Sequence, residues 1–192
     1  MGSINLKPAR GPESGGEYNR EERAMLLRLA HEAIEASLNG SELDFNPPTE
    51  HLAELRGAFT SLHLHGHLRG CVGYITPACP LWRTVAETAA AAAFDDARFF
   101  PVTPEEAKEL RIEISVLSPQ FPIAPEEVIV GQHGLIITDG VRRGLLLPQV
   151  PVELGWDREM FLEQTCCKAG LPPNAWKLGA QIEAFTAEVF GE

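Results

Sequence analysis

AFTSLHLHGHLRGCVGYI, residues 58–75, is the stretch that decides the fold. Its first part, Ala58–Leu64, alternates in the way of a strand that buries one face. Gly66 then supplies a turn, and a second apolar-rich run extends from Leu68 to Ile75. The stretch therefore predicts an antiparallel β-hairpin.

Regular elements are predicted on both sides of this hairpin. The predicted helices are Arg20–Leu38, Leu81–Phe94, a short helix that follows a capping box at Thr103 and ends near Leu110, and a helix capped by Asp157 that ends at Lys168. The predicted strands are Arg111–Leu117, Val128–Val130, Leu135–Thr138, Leu145–Leu147 and Ile182–Phe190. Helices and strands come in clusters rather than in strict βαβ alternation, which favours an α+β fold over a doubly wound sheet.

Residues 1–17 lack an apolar period and are predicted to be a flexible N-terminal arm, with residues 18–192 as the folded domain. Pro47-Pro48 is predicted to open a connection after the first helix. A chain of 192 residues is expected to form one domain or two intimate subdomains.

Composition excludes several classes of function. The net charge of −11 argues against nucleic acid and against an anionic membrane surface as partners. The longest apolar run, near Ala89–Phe94, is too short to cross a bilayer. The four cysteines form no C-x-x-C pair and no signal peptide precedes them, so we expect reduced thiols in a cytoplasmic protein without a bound metal or other cofactor.

The most unusual local feature is Arg69-Gly70-Cys71-Val72-Gly73. Glycines within a strand pattern often mark a bulge or a close backbone approach, and amides exposed there could hold an anion. Arg69 would share a strand face with Cys71 and would favour the nucleophilic thiolate. The alternative is a small buried cysteine in a bulge that glycine permits.

Three further segments carry candidate groups. His133, in the tight Gly131–Gly134 loop, could act as a general base or could simply hydrogen-bond the backbone of its turn. Arg98 could bind a carboxylate or phosphate, or Asp96 and Arg98 could stitch a helix end. Glu113 is a carboxylate within a strand, on a face that is either solvent or a cleft.

His63, His65 and His67 form H-x-H-x-H, which offers the ligand type that zinc and copper prefer. Gly66 is expected to turn the chain within this run, so we predict solvated histidines at a hairpin tip and no metal site.

Together these segments resemble the AMMECR family, whose hallmark matches Leu68-Arg69-Gly70-Cys71-Val72-Gly73. The resemblance continues at Asp96-Ala97-Arg98-Phe99, although Phe100-Pro101 stands where the family often has Pro-Pro. It resumes over Ile112–Ser118, Gly131–Leu135, Leu147-Pro148-Gln149-Val150 and Gly155-Trp156, and so covers about Arg20 to Phe190.

The resemblance implies an α+β fold with a curved, barrel-like sheet, outer helices and two unequal subdomains that face a cleft. It adds Gln149 to the substrate-binding candidates Arg69, Gly70, Gly73, Asp96 and Arg98. Prokaryotic relatives look like protein A of the AmmeMemoRadiSam system, which implies Memo-like and radical-SAM partner proteins. This chain has no C-x-x-x-C-x-x-C, so an iron–sulfur cluster would belong to the partner.

Two functional hypotheses follow from different classes. In the first, the domain is an enzyme in which Cys71 is the nucleophile and His133 is the base, with Glu113 as a further catalytic candidate. Arg69 and Arg98 would hold an anionic small molecule or peptide. In the second, the domain is a regulatory or interaction module and the cysteine segment is a structural turn. The first is preferred, because conformation explains glycines better than it explains a cysteine beside an arginine.

The acidic balance of the chain generates a prediction about partners. We expect no appreciable affinity for DNA or RNA near physiological salt, because phosphate binding depends on clustered Lys and Arg. Fluorescence anisotropy with labelled duplex and single-stranded oligonucleotides measures this directly. Binding at that salt that weakens steeply as salt rises would contradict the prediction.

Overall fold

The computed structural model describes residues 16–43 and 49–192 of the chain. Residues 1–15 of the predicted arm and Pro47-Pro48 lie outside these ranges. The described α-helices are α1 (Arg20–Asn39), α2 (Leu81–Phe94), α3 (Pro104–Ala107), α4 (Gln149–Glu153) and α5 (Arg158–Lys168). The described strands are β1 (Ala58–Leu64), β2 (His67–Tyr74), β3 (Arg111–Leu117), β4 (Phe121–Pro122), β5 (Gly134–Asp139), β6 (Arg142–Leu146), β7 (Gln181–Phe185) and β8 (Ala187–Gly191).

The chain divides into two unequal units, as the resemblance implies. The first runs up to Leu117 and takes in Glu188–Glu192, and the second is Ser118–Ala187. One sheet has the order β2-β1-β3-β8 and the other the order β4-β7-β5-β6, with mainly antiparallel pairing. The α+β prediction is confirmed, with two open four-stranded sheets in place of one barrel-like sheet.

Alternation along β1 and β3 builds the core of the first unit. Ala58, Thr60 and Leu62 are buried, whereas the residues between them are half-buried. β3 alternates in the same way, with its isoleucines inward. Helices α1 and α2 complete this core with Leu26, Ala30, Leu81, Val85 and Ala89 among others.

Local capping signals fix the ends of the helices. Asn19 and Glu22 form a capping box at the start of α1, and Gly40 ends that helix in the left-handed region at φ 64°. Thr103 and Glu106 form a second capping box at α3, as predicted, although α3 ends at Ala107.

The second unit packs β5 and α5 around their own core, which includes Leu135, Ile137, Phe161, Leu162 and Cys166. The strand predicted at Val128–Val130 is wrong. Val128 is buried, but Ile129 is half-exposed in a turn, so this apolar run anchors a loop and does not pair.

The last predicted strand, Ile182–Phe190, is two strands in different sheets. Thr186 separates them, and its backbone pairs with Ser118 in both directions, through Ser118 N–H to the Thr186 carbonyl and Thr186 N–H to the Ser118 hydroxyl. The apolar residues of the predicted strand therefore continue across a change of sheet, and Ala184 and Phe185, which are adjacent, are both buried.

The β1–β2 hairpin turns at the predicted place. His65 has φ 52° and Gly66 has φ 80°, which is the left-handed geometry of a two-residue hairpin turn. His65 and His67 are exposed, and His65 lies 3.8 Å from the carboxylate of Glu109. The turn thus breaks the continuous strand face that a three-histidine metal site would need.

Gly70 lets α2 approach β2 closely. A Cβ atom at this position would lie 2.0 Å from the carbonyl oxygen of Ala92. At Gly73 a Cβ atom would instead lie 2.1 Å from the ring of Phe59. The two glycines of β2 are therefore explained by close packing, one against a backbone and one against a side chain.

This difference predicts an order of stability. Gly70→Ala should cost about 1–3 kcal/mol of unfolding free energy, because the backbone of α2 must move to admit the methyl group. Gly73→Ala should cost less, because the Phe59 ring can rotate away. Urea denaturation of both variants measures the difference, and equal costs would show that α2 is not held rigidly against β2.

Candidate functional site

β2 lies at an edge of its sheet, and Arg69 interrupts its pairing with β1. Leu62 is opposite Gly70 whereas His63 is opposite Leu68, so Arg69 is an extra residue in β2. Such a bulge redirects the side chains of the strand. The bulge expected near the glycines is therefore present, immediately before Gly70.

Two side chains close the outer edge of β2 at Cys71. The Cys71 N–H donates to Asp96 Oδ2 at 2.9 Å, and Arg98 Nη2 donates to the Cys71 carbonyl at 3.2 Å. Arg98 also donates to Asp96 through Nε at 2.9 Å and through Nη2 at 2.7 Å. The pair satisfies a donor and an acceptor that an edge strand otherwise leaves open.

The charges of this pair are strongly coupled. Hydrogen bonds from Arg98 hold the pKa of Asp96 well below its usual range, and the Cys71 N–H lowers it further. Hydrogen bonding to Asp96 raises the pKa of Arg98, with smaller contributions from the charges of Asp96 and Cys71. The Asp96 side chain is 7% exposed and that of Arg98 is 58% exposed, so the guanidinium presents part of its surface to solvent beside Cys71.

The thiol of Cys71 has a polar neighbour on β1. Ser61 Oγ donates to Cys71 Sγ at 3.3 Å. Ser61 is opposite Cys71 in one strand pair and opposite Glu113 in the next. Directly opposite residues share a face, so a thiol, a hydroxyl and a carboxylate form one row, and all three residues are half-buried.

Arg69 is engaged elsewhere. Its Nε and Nη2 donate to the two carboxylate oxygens of Glu106, each at 3.0 Å. Nη1 donates to the Phe100 carbonyl at 2.9 Å and Nη2 to the Pro101 carbonyl at 3.3 Å. Of the two candidate arginines, Arg98 contacts Cys71, whereas the guanidinium of Arg69 binds Glu106 and the segment before α3.

His133 lies in the second unit and is 7% exposed. Its Nδ1 accepts the N–H of Ile129 at 3.1 Å, and the Phe121 ring meets it edge-on at 5.9 Å between centroids. In the neutral imidazole the proton is then on Nε2, so a role as base requires this hydrogen bond to break. These contacts are those of the turn histidine considered as the alternative, and the approach of His133 to Cys71 stays a prediction.

Gln149 also belongs to the second unit, at the start of α4. Its side-chain Oε1 is buried without a hydrogen-bond partner among the described residues. Its role in binding a substrate likewise stays a prediction.

The other three cysteines differ from Cys71 in their surroundings. All four are unbridged thiols. Cys79 is half-buried with its Sγ 3.3 Å from Thr84 Oγ1. Cys166 is buried, which raises its pKa, and Cys167 is exposed on α5. Cys79 is therefore an internal reference for Cys71, because each thiol is half-buried beside one hydroxyl.

One further acidic group of side chains lies in the first unit. Glu17, His51 and Glu54 bring their ligand atoms within 4.8 Å of one another. Arg56 donates to both carboxylates, and His51 Nδ1 lies 3.0 Å from Glu22. The carboxylates are already compensated by a cation, so this group fastens the segment before α1 to the unit.

The model of the family described as AMMECR1 matches residues 27–190 of the chain, which includes the hairpin, the Asp96–Arg98 pair and the loop of His133. The chain belongs to the AMMECR1 family.

Relatives in this family span nearly the same length. Protein MK0488 of Methanopyrus kandleri is 44% identical over 190 residues, which cover 93% of this chain and 92% of that protein. Protein TK0174 of Thermococcus kodakarensis is 45% identical over 182 residues, which cover 87% and 88%. The crystal structure of uncharacterized protein PH0010 from Pyrococcus horikoshii superposes with a TM-score of 0.73 at 44% identity and covers 88% of this chain and 90% of that one.

In this AMMECR1 chain the sequence analysis missed two side chains of the site. Ser61 lies with Phe59 and His63 on the outer face of β1. The alternation of β1 could therefore have predicted that Ser61 shares a face with Cys71 across the hairpin. Glu106 was assigned only to the capping box at α3, where it does accept the Thr103 N–H at 2.9 Å. Its bond to Arg69 has no local signal, because the two residues are 37 positions apart.

The length and hydropathy of the helices determine whether any of them could span a membrane. Among the described helices of the AMMECR1 chain, none combines the length and the apolar character that crossing a bilayer requires.

The Asp96–Arg98 pair generates a prediction about pH. A carboxyl with a lowered pKa in the folded state stabilises the fold above its unfolded pKa, and this contribution disappears as pH falls towards the folded value. Asp96→Asn should therefore cost about 1–3 kcal/mol of unfolding free energy at neutral pH. The gap from the wild type should narrow below about pH 4.

Urea denaturation at a series of pH values measures this gap. Asp95→Asn is the matched control, since Asp95 is an adjacent, exposed carboxylate, and it should change stability little at any pH. A cost for Asp96→Asn that is independent of pH would show that the charge of Asp96 does not contribute.

Proposed function

We propose that this AMMECR1 domain is a cysteine-dependent enzyme in which Cys71 is the nucleophile. The observation that carries the proposal is the set of contacts of Cys71. Its N–H donates to Asp96, its carbonyl accepts from Arg98, and its sulfur accepts a hydrogen bond from Ser61. A buried thiol without polar neighbours would have opposed the proposal. A thiol on a half-buried residue whose backbone is held and whose sulfur accepts from a hydroxyl is the arrangement of a positioned nucleophile.

The neighbouring groups suit the steps of a covalent mechanism. Ser61 and the guanidinium of Arg98 stabilise the negative sulfur, and the exposed part of Arg98 favours an anionic small molecule or peptide as substrate. The sulfur attacks an electrophilic carbon, a carbon–sulfur bond forms and the leaving group departs with its electron pair. Water then releases the product from Cys71, as in a hydrolase, or another acceptor does so, as in a transferase.

A base is needed for the thiol proton, and we assign this role to Glu113. It is opposite Ser61 in the same row, whereas both the Nδ1 of His133 and the charge of Arg69 are already used. In the thiol form, Cys71 S–H donates to Ser61 Oγ and the Ser61 hydroxyl donates to Glu113. Transfer of both protons along this line protonates Glu113 and leaves Ser61 donating to the thiolate.

A second candidate function is favoured by the packing of the same segment. Gly70 admits α2, Gly73 admits the Phe59 ring and Arg69 holds the Phe100–Pro101 segment, so each has a structural role. An interaction module would need only these roles, and the thiol would then be incidental. The reactivity of Cys71 discriminates the two functions.

The resemblance adds a proposal about context, in which the domain works in the cytoplasm beside a Memo-like protein and a radical-SAM protein. Co-purification of this chain with such proteins from cells that express them tests this proposal, and their failure to associate at native levels would oppose it.

The nucleophile proposal predicts selective alkylation. Iodoacetamide should modify Cys71 about tenfold or more faster than Cys79. Each thiol has an arginine charge near it, but Ser61 donates to the Cys71 sulfur, whereas the Thr84 hydroxyl beside Cys79 donates to the Arg56 carbonyl. Mass spectrometry of peptides from timed reactions measures all four cysteines in one sample. Ser61→Ala should slow the modification of Cys71 and leave that of Cys79 unchanged.

Charge is separated from structure by two substitutions at Arg98. Arg98→Gln should slow alkylation of Cys71, and Arg98→Lys should largely restore it, with circular dichroism to check that each variant is folded. If Cys71 reacts no faster than Cys79 and Arg98→Gln has no selective effect, the interaction module takes the place of the enzyme.

A further inference from the structure

Four large apolar side chains of the second unit are exposed on and around α4. Their exposed fractions are 51% for Ile129, 59% for Val152, 57% for Leu154 and 40% for Met160. We call these four residues the α4 patch. Single exposed apolar residues are ordinary on protein surfaces, whereas neighbouring ones mark an interaction surface.

Contacts join the segments that carry the α4 patch. A Cβ atom at Gly131, two residues after Ile129, would lie 3.0 Å from Val152 Cγ2. Arg158, at the start of α5 near Met160, donates to the Glu126 carbonyl at 2.8 Å. The loop at residues 126–131 therefore lies beside α4 and beside the first turn of α5.

Carboxylates are frequent on the segments that carry the α4 patch. Glu126, Glu127, Glu153, Asp157 and Glu159 are exposed on the same segments. Two cations also lie there: Arg158, which donates to the Glu126 carbonyl, and Lys177, which pairs with Glu159. These segments therefore carry five exposed carboxylates against two cations.

We propose that the α4 patch docks a protein segment whose apolar side chains are flanked by lysine or arginine. Apolar side chains fill the centre of an interface, and rim charges of opposite sign steer the partner and set its register. A second copy of this chain is the less suitable occupant. In a symmetric dimer the same patch meets itself, which would bring like charges together.

Three synthetic peptides of equal length, about four helical turns each, test this chemistry. One is an amphipathic leucine–lysine peptide, one replaces lysine with glutamate, and one replaces leucine with serine. Titrated into isotopically labelled full-length chain, the leucine–lysine peptide should shift amide resonances of α4 and of the Ile129 loop. Its affinity should fall as salt rises, and the other two peptides should bind at least about tenfold more weakly.

Substitutions separate the α4 patch from the rest of the acidic surface. Val152→Ser together with Leu154→Ser should weaken the leucine–lysine peptide about tenfold, since central apolar residues contribute most of the affinity of an interface. Val141→Ser is the matched control, because Val141 is a fully exposed valine in the turn between β5 and β6 of the same unit. For the charge, Glu153→Gln should weaken binding, whereas Asp139→Asn should not.

Three outcomes would overturn the proposal. The first is equal binding of the leucine–lysine peptide to wild type and to the Val152/Leu154 variant. The second is amide resonance shifts that are spread over acidic residues of both units. The third is equal affinity for the leucine–glutamate peptide. Sedimentation of the chain alone supplies a fourth: a dimer that Val152→Ser and Leu154→Ser dissociate would assign the α4 patch to self-association.

Discussion

The constraint on which the first unit depends is the open edge of β2. A strand at the edge of a sheet leaves backbone donors and acceptors unpaired, and at Cys71 the carboxylate of Asp96 and the guanidinium of Arg98 take the place of a further strand. Because both side chains come from the segment after α2, the same contacts fix where that helix ends against the sheet. Gly70 makes this approach possible by having no Cβ atom.

The same contacts that hold β2 also define the chemical environment of its cysteine. With its N–H and carbonyl both held, the Cys71 backbone keeps the sulfur directed at Ser61, and the partly exposed guanidinium remains beside it. Structure and proposed function are therefore not competing explanations for the Asp96–Arg98 pair. Only the thiol itself distinguishes the two explanations. A small apolar residue could fill the same half-buried position on β2, so packing does not require a cysteine there.

The two units divide the surface properties of the chain. The first carries the polar row of Cys71, Ser61 and Glu113 on its sheet, and the second carries exposed apolar side chains and carboxylates on and around α4. The proposed site for chemistry and the proposed site for a partner therefore belong to different units of the AMMECR1 domain. Relatives of nearly equal length indicate that both units belong to the family domain.

The sequence by itself determined the elements whose signals are local. β1, α2, β3 and α5 begin and end where alternation, capping residues and glycine place them, because those signals act over a few residues. Short motifs in a fixed order also identified the family from the sequence, and the family model confirms it.

Only the tertiary structure decided which groups meet. From the sequence, Arg69 was expected to lie beside Cys71 on its own strand. In the structure the bulge at Arg69 redirects its side chain, which binds Glu106, 37 residues away. The apolar run at Val128–Val130 is likewise a loop. The N–H of Ile129 donates to His133 Nδ1 and not to a neighbouring strand. Side-chain pairing between distant segments depends on the path of the whole chain, and no local pattern encodes that path.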